Sequence, residues 1–448
     1  MSDVPRRAIS RTAKLAALPV GFAGRTAWGL GKRIGGKPAE IVAAEVQART
    51  AEQMFKVLGE LKGGAMKFGQ AMSIFEASLP EELAAPYRAT LTKLQDAAPP
   101  LPAATVHKVL AEQMGPRWRR TLKEFEDKPV AAASIGQVHR AVWRDGRQVA
   151  VKIQYPGAGD ALISDLNQLT RAARVGASWI PGLDLKPILA ELKARMVEEL
   201  DYTSEAMWQQ QVHDALGDHP DFVVPAVLAS TERVLVSEWM DGTSLSKVIA
   251  GGTQQERDLA ALRYLQFMFV APELAGLMHA DPHPGNFRLT PDGRLGVIDF
   301  GAVKLLPDGL PTEIGRLLTL ALCDDAQSVV DGLRAEGFIR TNVDIDGEDL
   351  LAYLDPFLEP AYHERFRFSR AWLRELFGHI NDPRRPQWSV GMKLNLPPEY
   401  LLIHRVWLGG IGVLCQIEGE LPVLDVLDEH LPQFSRPEVA GRPGASID

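Results

Sequence analysis

Cysteine is nearly absent: Cys323 and Cys415 are the only two in 448 residues. So widely separated a pair suggests neither a disulfide framework nor a zinc cluster, and it points to a reducing compartment. No stretch approaches the ~20 uninterrupted apolar residues of a membrane-spanning helix, so the expected relation to a membrane is peripheral rather than integral. The most apolar segment, Tyr400 to Cys415, is interrupted by His404 and Arg405 and reads as a buried core helix. No internal repeat or low-complexity tract is present, which sets aside repeat architectures and biased-composition tails. The formal net charge is −8, and no nucleic-acid partner is expected. What the chain does have is a 46% hydrophobic composition, ample for a core of two lobes plus an added helical region.

The most informative run is His279-Ala-Asp281-Pro-His283-Pro-Gly-Asn286, followed by Asp299-Phe300-Gly301 at the end of a strand. Phosphoryl transfer of the kinase type needs an Asp to take the acceptor proton, an Asn shortly after it to hold Mg²⁺, and a second Asp to bridge metal and ATP phosphates. Asp281, Asn286 and Asp299 stand in that order, with Asn286 and Asp299 as the metal ligands. Between them two short apolar strands flank a Pro291-Asp292-Gly293 turn, which would bring both metal ligands to the same strand ends. The competing reading, an H-x-D-x-H metal hydrolase built on His279, Asp281 and His283, explains neither Asn286 nor Asp299.

Upstream, Arg147 to Gln154 alternates as a strand after an Asp145-Gly146 turn and carries a lone Lys152 in V-A-V-K, the phosphate-pairing lysine of such sites. A lysine on a strand is more often a solvated charge; its Val149, Val151 and Ile153 flanks and the downstream motifs favour function. The preceding segment, Ala131-Ala132-Ala133-Ser134-Ile135-Gly136-Gln137-Val138, occupies the slot of a phosphate-covering glycine loop. Only Gly136 and Val138 keep that pattern, so the loop is expected to be stiffer and to handle nucleotide differently. Pro187 to Gln211 is helical in pattern, with Asp201 and Glu205 four residues apart on one face. Glu205 is the preferred partner of Lys152. A strand from Arg233 to Trp239 carries Glu238, and Met240 opens the Met240-Asp241-Gly242 hinge, whose backbone would meet adenine.

These residues resemble the UbiB (AarF) family of atypical kinase-like proteins, which support isoprenoid quinone biosynthesis. The specific marks are Lys67-Phe68-Gly69-Gln70, the K-x-G-Q motif, in the helical stretch Leu61 to Ile74, together with the A-A-A-S-I-G-Q-V loop and the E-x-D motif on Glu199 and Asp201. The resemblance covers most of the chain. It implies an α+β, atypical protein-kinase-like two-lobed fold with an N-terminal helical K-x-G-Q extension. It further implies ATP and Mg²⁺ as cofactors, and Lys67 and Gln70 over the nucleotide site with Glu199 and Asp201 as partners. Without it, Lys67 and Gln70 read as an ordinary polar helix face.

The expected organisation is a basic amphipathic arm (1–40), the K-x-G-Q extension (41–124), a small lobe (125–239) and a helical large lobe (240–448). Residues 1 to 37 carry Arg6, Arg7, Arg11, Lys14, Arg25, Lys32, Arg33 and Lys37 against Asp3, interleaved with Leu15, Leu18, Phe22, Trp28 and Ile34. The pattern resembles an interfacial anchor for an anionic membrane surface; a flexible basic tail and, in a eukaryote, a transit peptide are the other readings. A cytoplasmic protein, peripheral on the inner face of the membrane, is expected, or one on the matrix side if mitochondrial. Its expected partners are a lipophilic quinone precursor or quinone-biosynthesis enzymes, with a homodimer among the assemblies.

Departures from ordinary protein kinases narrow the function. The triplet is His279-Ala280-Asp281, without the arginine that clamps a phosphorylated loop, and no A-P-E landmark follows Gly301. No peptide-docking platform is evident. An ATPase or atypical kinase at a membrane surface is favoured. A small-molecule phosphotransferase of the aminoglycoside or choline kinase type shares H-x-D-x-H-P-x-N but not K-x-G-Q, and a pseudokinase scaffold does not need the intact Lys152, Glu205, Asp281, Asn286 and Asp299.

Overall fold

The computed structural model describes residues 100–133, 135–157, 159, 200–381 and 385–437. Lys67, Gln70, Ser134, Glu199 and the basic arm lie outside them. The described residues are mixed α+β, as expected, and fall into two compact units. The smaller takes in the described residues up to Ser204 and Leu228–Trp239; the larger takes in Glu205–Val227 and everything from Met240.

The smaller unit is built on an antiparallel sheet of strands β1 (Leu122–Phe125), β2 (Ala131–Ala133), β3 (Gly136–Trp143), β4 (Gln148–Gln154), β6 (Val227–Ser230) and β7 (Val234–Glu238), in the order β1-β3-β4-β7-β6 with β2 also on β3. The β3–β4 hairpin turns at Asp145-Gly146, where Gly146 has φ +100 and the Asp145 carboxylate accepts from Arg147 N at 3.0 Å. In β4 the period-two pattern is explicit: Val149, Val151 and Ile153 are fully buried while Ala150 and Lys152 face the other way. Helix α1 (Ala103–Met114) covers the apolar face with Val106, Val109 and Leu110, and Trp118 and Leu122 complete that core. Burying each of these side chains is worth roughly 1.5–3 kcal/mol as an upper estimate, so the sheet has a dry face and a face left for Lys152.

Helix α2 (Tyr202–Leu216) begins later than the sequence pattern suggests. The helical period runs from Pro187 through Gln211, but Leu200 and Asp201 are not helical. The Asp201 carboxylate accepts from Thr203 N at 3.0 Å and Ser204 Oγ at 2.7 Å, a side-chain cap that starts a new helix. Both bonds hold its carboxyl below the usual range, the Ser204 hydroxyl most.

In the larger unit the strand β5 (Phe222–Val223), then β8 (Thr243–Ser244) and helix α3 (Leu245–Gly251), lead into α4 (Gln254–Ala275). Thr253 and Glu256 form a capping box at the start of α4, and Gly276, at φ 63, ends it. Leu277 and Met278 do not continue α4 but form β9 (Leu277–His279), because the left-handed glycine turns the chain. From Tyr264 to Pro272 helix α4 is buried on every side, and it lies at the centre of the helical core. Strands β10 (Phe287–Leu289) and β11 (Leu295–Val297) form the expected hairpin, with Leu289 opposite Leu295, and β12 (Val303–Leu305) returns antiparallel to β9. Helices α5 (Thr312–Leu322), α6 (Ala326–Ala335), α7 (Gly347–Tyr362), α8 (Arg370–Asn381), α9 (Pro386–Lys393), α10 (Pro398–Ile417) and α11 (Val423–His430) complete the unit. By length and composition alone α10 could cross a membrane. Its Ile403, Val406, Val413 and Leu414 are buried in the core cluster, as expected from its His404-Arg405 interruption.

Candidate active site

The larger unit brings Asp281, Asn286 and Asp299 together through backbone pairing. Asn286 O accepts from Ile298 N at 2.9 Å, and Ala280 N donates to Ala302 O at 2.9 Å, so the β10–β11 hairpin and the β9–β12 pair converge on one loop. Asn286 Nδ2 donates to Asp281 O at 3.3 Å. That use of the amide nitrogen leaves the amide oxygen as the end suited to a hard cation.

His279 joins the two halves of the cluster. Its Nε2 donates to Asp299 O at 2.8 Å and its Nδ1 lies 3.4 Å from Asp281 N, a pairing that requires the neutral Nε2–H tautomer. Burial lowers its pKa, which favours the neutral ring, and the bonds to Asp299 O and Asp281 N select the tautomer. The ring packs edge-on against Phe300, which is fully buried. Asp299 has φ 64, a left-handed conformation uncommon outside glycine, and its Oδ1 is 3.4 Å from Gly301 N. Sequence reading treats His279 as a motif letter; the structure makes it the brace between both aspartates.

In the smaller unit Val138 stands directly opposite Lys152 on one face of the sheet, and Leu235 opposite Lys152 on the next strand. Lys152 Nζ lies 5.0 Å from the centroid of the Tyr202 ring. Tyr202 was not singled out by sequence, where it reads as a residue following E-x-D. Gly136 is required by space: a Cβ there would sit 2.3 Å from Ile153 O and 2.8 Å from Tyr202 Oη. Ala131 and Ala132 are exposed and Ala133 half-buried, in a short strand paired to β3.

The rest of the expected set is placed as follows. Ile135 is buried. Gln137 is turned to the opposite face from Lys152: it is buried, its Oε1 accepts from Leu101 N at 2.8 Å, and its Nε2 donates to His139 Nε2 at 2.7 Å. His139 Nδ1 in turn donates to Glu126 O at 2.7 Å, and desolvation lowers its pKa. Glu205 lies in the first turn of α2 and is 3% exposed, a burial that a carboxylate tolerates only with polar partners. The Glu238 carboxylate is engaged by Arg147 Nη1 at 2.8 Å. Met240 packs its sulfur over Gly296 of β11, where a Cβ would come within 2.1 Å.

Among the described residues no three His, Cys, Asp or Glu side chains converge into a metal cage. A carboxylate at Asp299 and an amide oxygen at Asn286 nonetheless fit Mg²⁺, which is ordinarily held by one or two protein oxygens, with water and substrate phosphates completing the shell.

Comparison with known proteins agrees with this geometry. The model of the ABC1 atypical kinase-like domain matches residues 93–333. The atypical kinase coq-8, mitochondrial, of Caenorhabditis elegans is 30% identical over 75% of this chain and 46% of its own length. The atypical kinase COQ8B, mitochondrial, of Rattus norvegicus is 32% identical over 96% of this chain and 82% of its own. The chain spans about half the length of several curated relatives it matches. A solved structure of Rv3197 in complex with erythromycin, from Mycobacterium tuberculosis, is 42% identical with a TM-score of 0.69, covering 89% of this chain and 100% of that one. A kinase-like fold, an Asp-Asn-Asp cluster braced by a neutral histidine, and a family model covering more than half the residues lead to one assignment: the chain belongs to the ABC1, or UbiB/AarF, family of atypical kinase-like proteins.

Proposed function

We propose that the protein is a Mg-ATP-dependent atypical kinase or ATPase that supports isoprenoid quinone biosynthesis at a membrane surface. The observation that carries the reading is the convergence of Asp281, Asn286 and Asp299 on one loop, tied by Asn286 Nδ2 to Asp281 O and by His279 to Asp299 O. In this reading Asp281 takes the proton of the attacking hydroxyl or water, and Asn286 and Asp299 hold Mg²⁺. The ion supplies charge neutralisation on the phosphate oxygens. Lys152 is assigned to the phosphates, with Glu205 as its partner, and Val138 and the alanine hairpin to the nucleotide. Main-chain groups of Glu238 and Met240 are assigned to adenine. By the family resemblance, Lys67 and Gln70 lie over the nucleotide site with Glu199 and Asp201 as their partners, and all four join Asp281 in the catalytic set.

The membrane part rests on the basic, partly apolar residues 1 to 37, and the quinone part on the family resemblance. The protein would sit on the inner face of a membrane, or on the matrix side if mitochondrial, beside a lipophilic quinone precursor or the enzymes that modify it. The test is phosphate release from Mg-ATP with and without anionic liposomes and a phenolic quinone precursor. Stimulation by both is expected. A rate indifferent to lipid and precursor but raised by a polar small-molecule acceptor would replace this reading with a small-molecule phosphotransferase.

A further inference from the structure

The catalytic loop, Asp281-Pro282-His283-Pro284-Gly285-Asn286, has an unusual supply of bonds. Pro282 and Pro284 carry no N–H, so two of its six positions cannot donate to a turn of their own. Bonds within it include Asn286 N to His283 O at 3.0 Å, Gly285 N to His283 Nδ1 at 3.1 Å and Asn286 Nδ2 to Asp281 O at 3.3 Å. None of these fixes Pro282, the residue beside the proposed base.

Pro282 is fixed from beneath, by the centre of α4. Tyr264 is 1% exposed, and its hydroxyl donates to Pro282 O at 3.1 Å. The same ring meets Phe287, the residue after Asn286, edge-on at 4.9 Å between centroids. One side chain on a rigid helix therefore touches both ends of the loop. We propose that Tyr264 is a positioning residue that sets the spacing between Asp281 and Asn286, and so governs turnover rather than nucleotide affinity. The inference rests on the reading of Asp281 and Asn286 given above.

Three further observations support it. Burial, with the Asp281 charge adding to it, pushes the Tyr264 phenol well above its ordinary pKa, so the hydroxyl stays a donor across the physiological range. Helix α10 closes the space behind: a Cβ at Gly410 would meet Met268 Cε at 2.6 Å and Tyr264 Oη at 3.7 Å, which limits any swing of the ring. A cavity of about 10 Å³ beside Tyr264, Met278, His279, Pro282 and Phe287 has room for at most a single water, and the Tyr264 hydroxyl reaches Pro282 O directly. A tyrosine needed only for packing would be served equally by phenylalanine; the oxygen is the atom that separates the two roles.

The experiment uses the full chain with Tyr264→Phe, which keeps the ring and removes the donor. Two readouts are taken: kcat and KM for Mg-ATP hydrolysis, and hydrogen exchange at the amides of Asp281, His283, Gly285 and Asn286 without nucleotide. Loss of one neutral hydrogen bond to a catalytic loop is expected to lower kcat about tenfold, with KM and Mg-ATP affinity held within about twofold. Exchange across the loop should quicken while the amides of α4 stay protected. A folded variant with wild-type kcat, whether or not its loop exchange changes, would overturn the proposal. Should the wild type fail to turn over ATP at all, the site reading fails and exchange alone decides the anchor: faster loop exchange in the variant supports it, and unchanged exchange overturns it.

Discussion

The catalytic loop of the larger unit and the alanine hairpin of the smaller one are held by different kinds of bond. The loop is gripped by side chains from the interior: His279 holds both aspartate backbones, Tyr264 holds Pro282, and Asn286 closes on Asp281. The hairpin has a main-chain ladder from Ala131–Ala133 to Gly136–Val138, with Ala131 and Ala132 exposed. Its one tight point is Gly136, wedged against Ile153 O and Tyr202. Groups that must present a carboxylate or an amide oxygen at a fixed place are supported by a second layer of bonds. The hairpin, proposed above to meet the nucleotide, is left to composition, and here composition has exchanged glycine freedom for methyl groups.

Gly136→Ala breaks the hairpin at its tight point and should have the largest effect of any single substitution. Its methyl would collide with the Ile153 backbone as well as with the Tyr202 hydroxyl, so a loss of roughly 1–3 kcal/mol is expected, the usual cost of overpacking. Urea denaturation measures it, and an unchanged midpoint would mean that β3 and β4 are not held as described. Ala131, Ala132 and Ala133 changed together to glycine test the looser part. Each should cost about 0.5–1 kcal/mol in a strand, and affinity or selectivity among adenine nucleotides should shift as the hairpin closes differently. Calorimetric titrations of ATP and ADP that match wild type would detach the hairpin from the nucleotide.

Asp201→Ala has the smallest expected effect, about 1 kcal/mol for a lost cap. Because the Asp201 carboxyl is depressed in the folded state, its contribution is present above the unfolded value of about 3.9 and is lost as pH falls through the lower folded one. The stability gap between wild type and Asp201→Ala should therefore be constant at neutral pH and shrink in acid. A gap that widens on acidification would contradict the capping geometry.

Much of this arrangement was legible in the sequence, for reasons that stop at local pattern. Strands β3, β4, β7 and the β10–β11 hairpin follow from period-two burial and Asp-Gly turns, and Lys152, Asp281, Asn286 and Asp299 follow from spacing. The break at Asp201 was not legible, because apolar period alone cannot tell an aspartate on a helix face from one that caps a new helix. Gln137 belongs to a loop motif, yet strand alternation sends it to the core face, where Leu101 and His139 satisfy it. Tyr202 and Tyr264 read as ordinary helix residues; their roles under Lys152 and Pro282 exist only in tertiary contact.

The central claim, that the loop and Asp299 form the Mg-ATP site, is tested most directly by Mg-ATP stabilisation of wild type and Asp299→Asn. Asparagine tolerates the left-handed φ of 64 that this position requires, so the variant should fold while losing the charge that holds the metal. For wild type, saturation at 100 times Kd should add about 2.7 kcal/mol, and the gain should depend on Mg²⁺. In Asp299→Asn the gain should fall by more than half and cease to depend on Mg²⁺. A folded Asp299→Asn protein with the full Mg²⁺-dependent stabilisation would contradict the account.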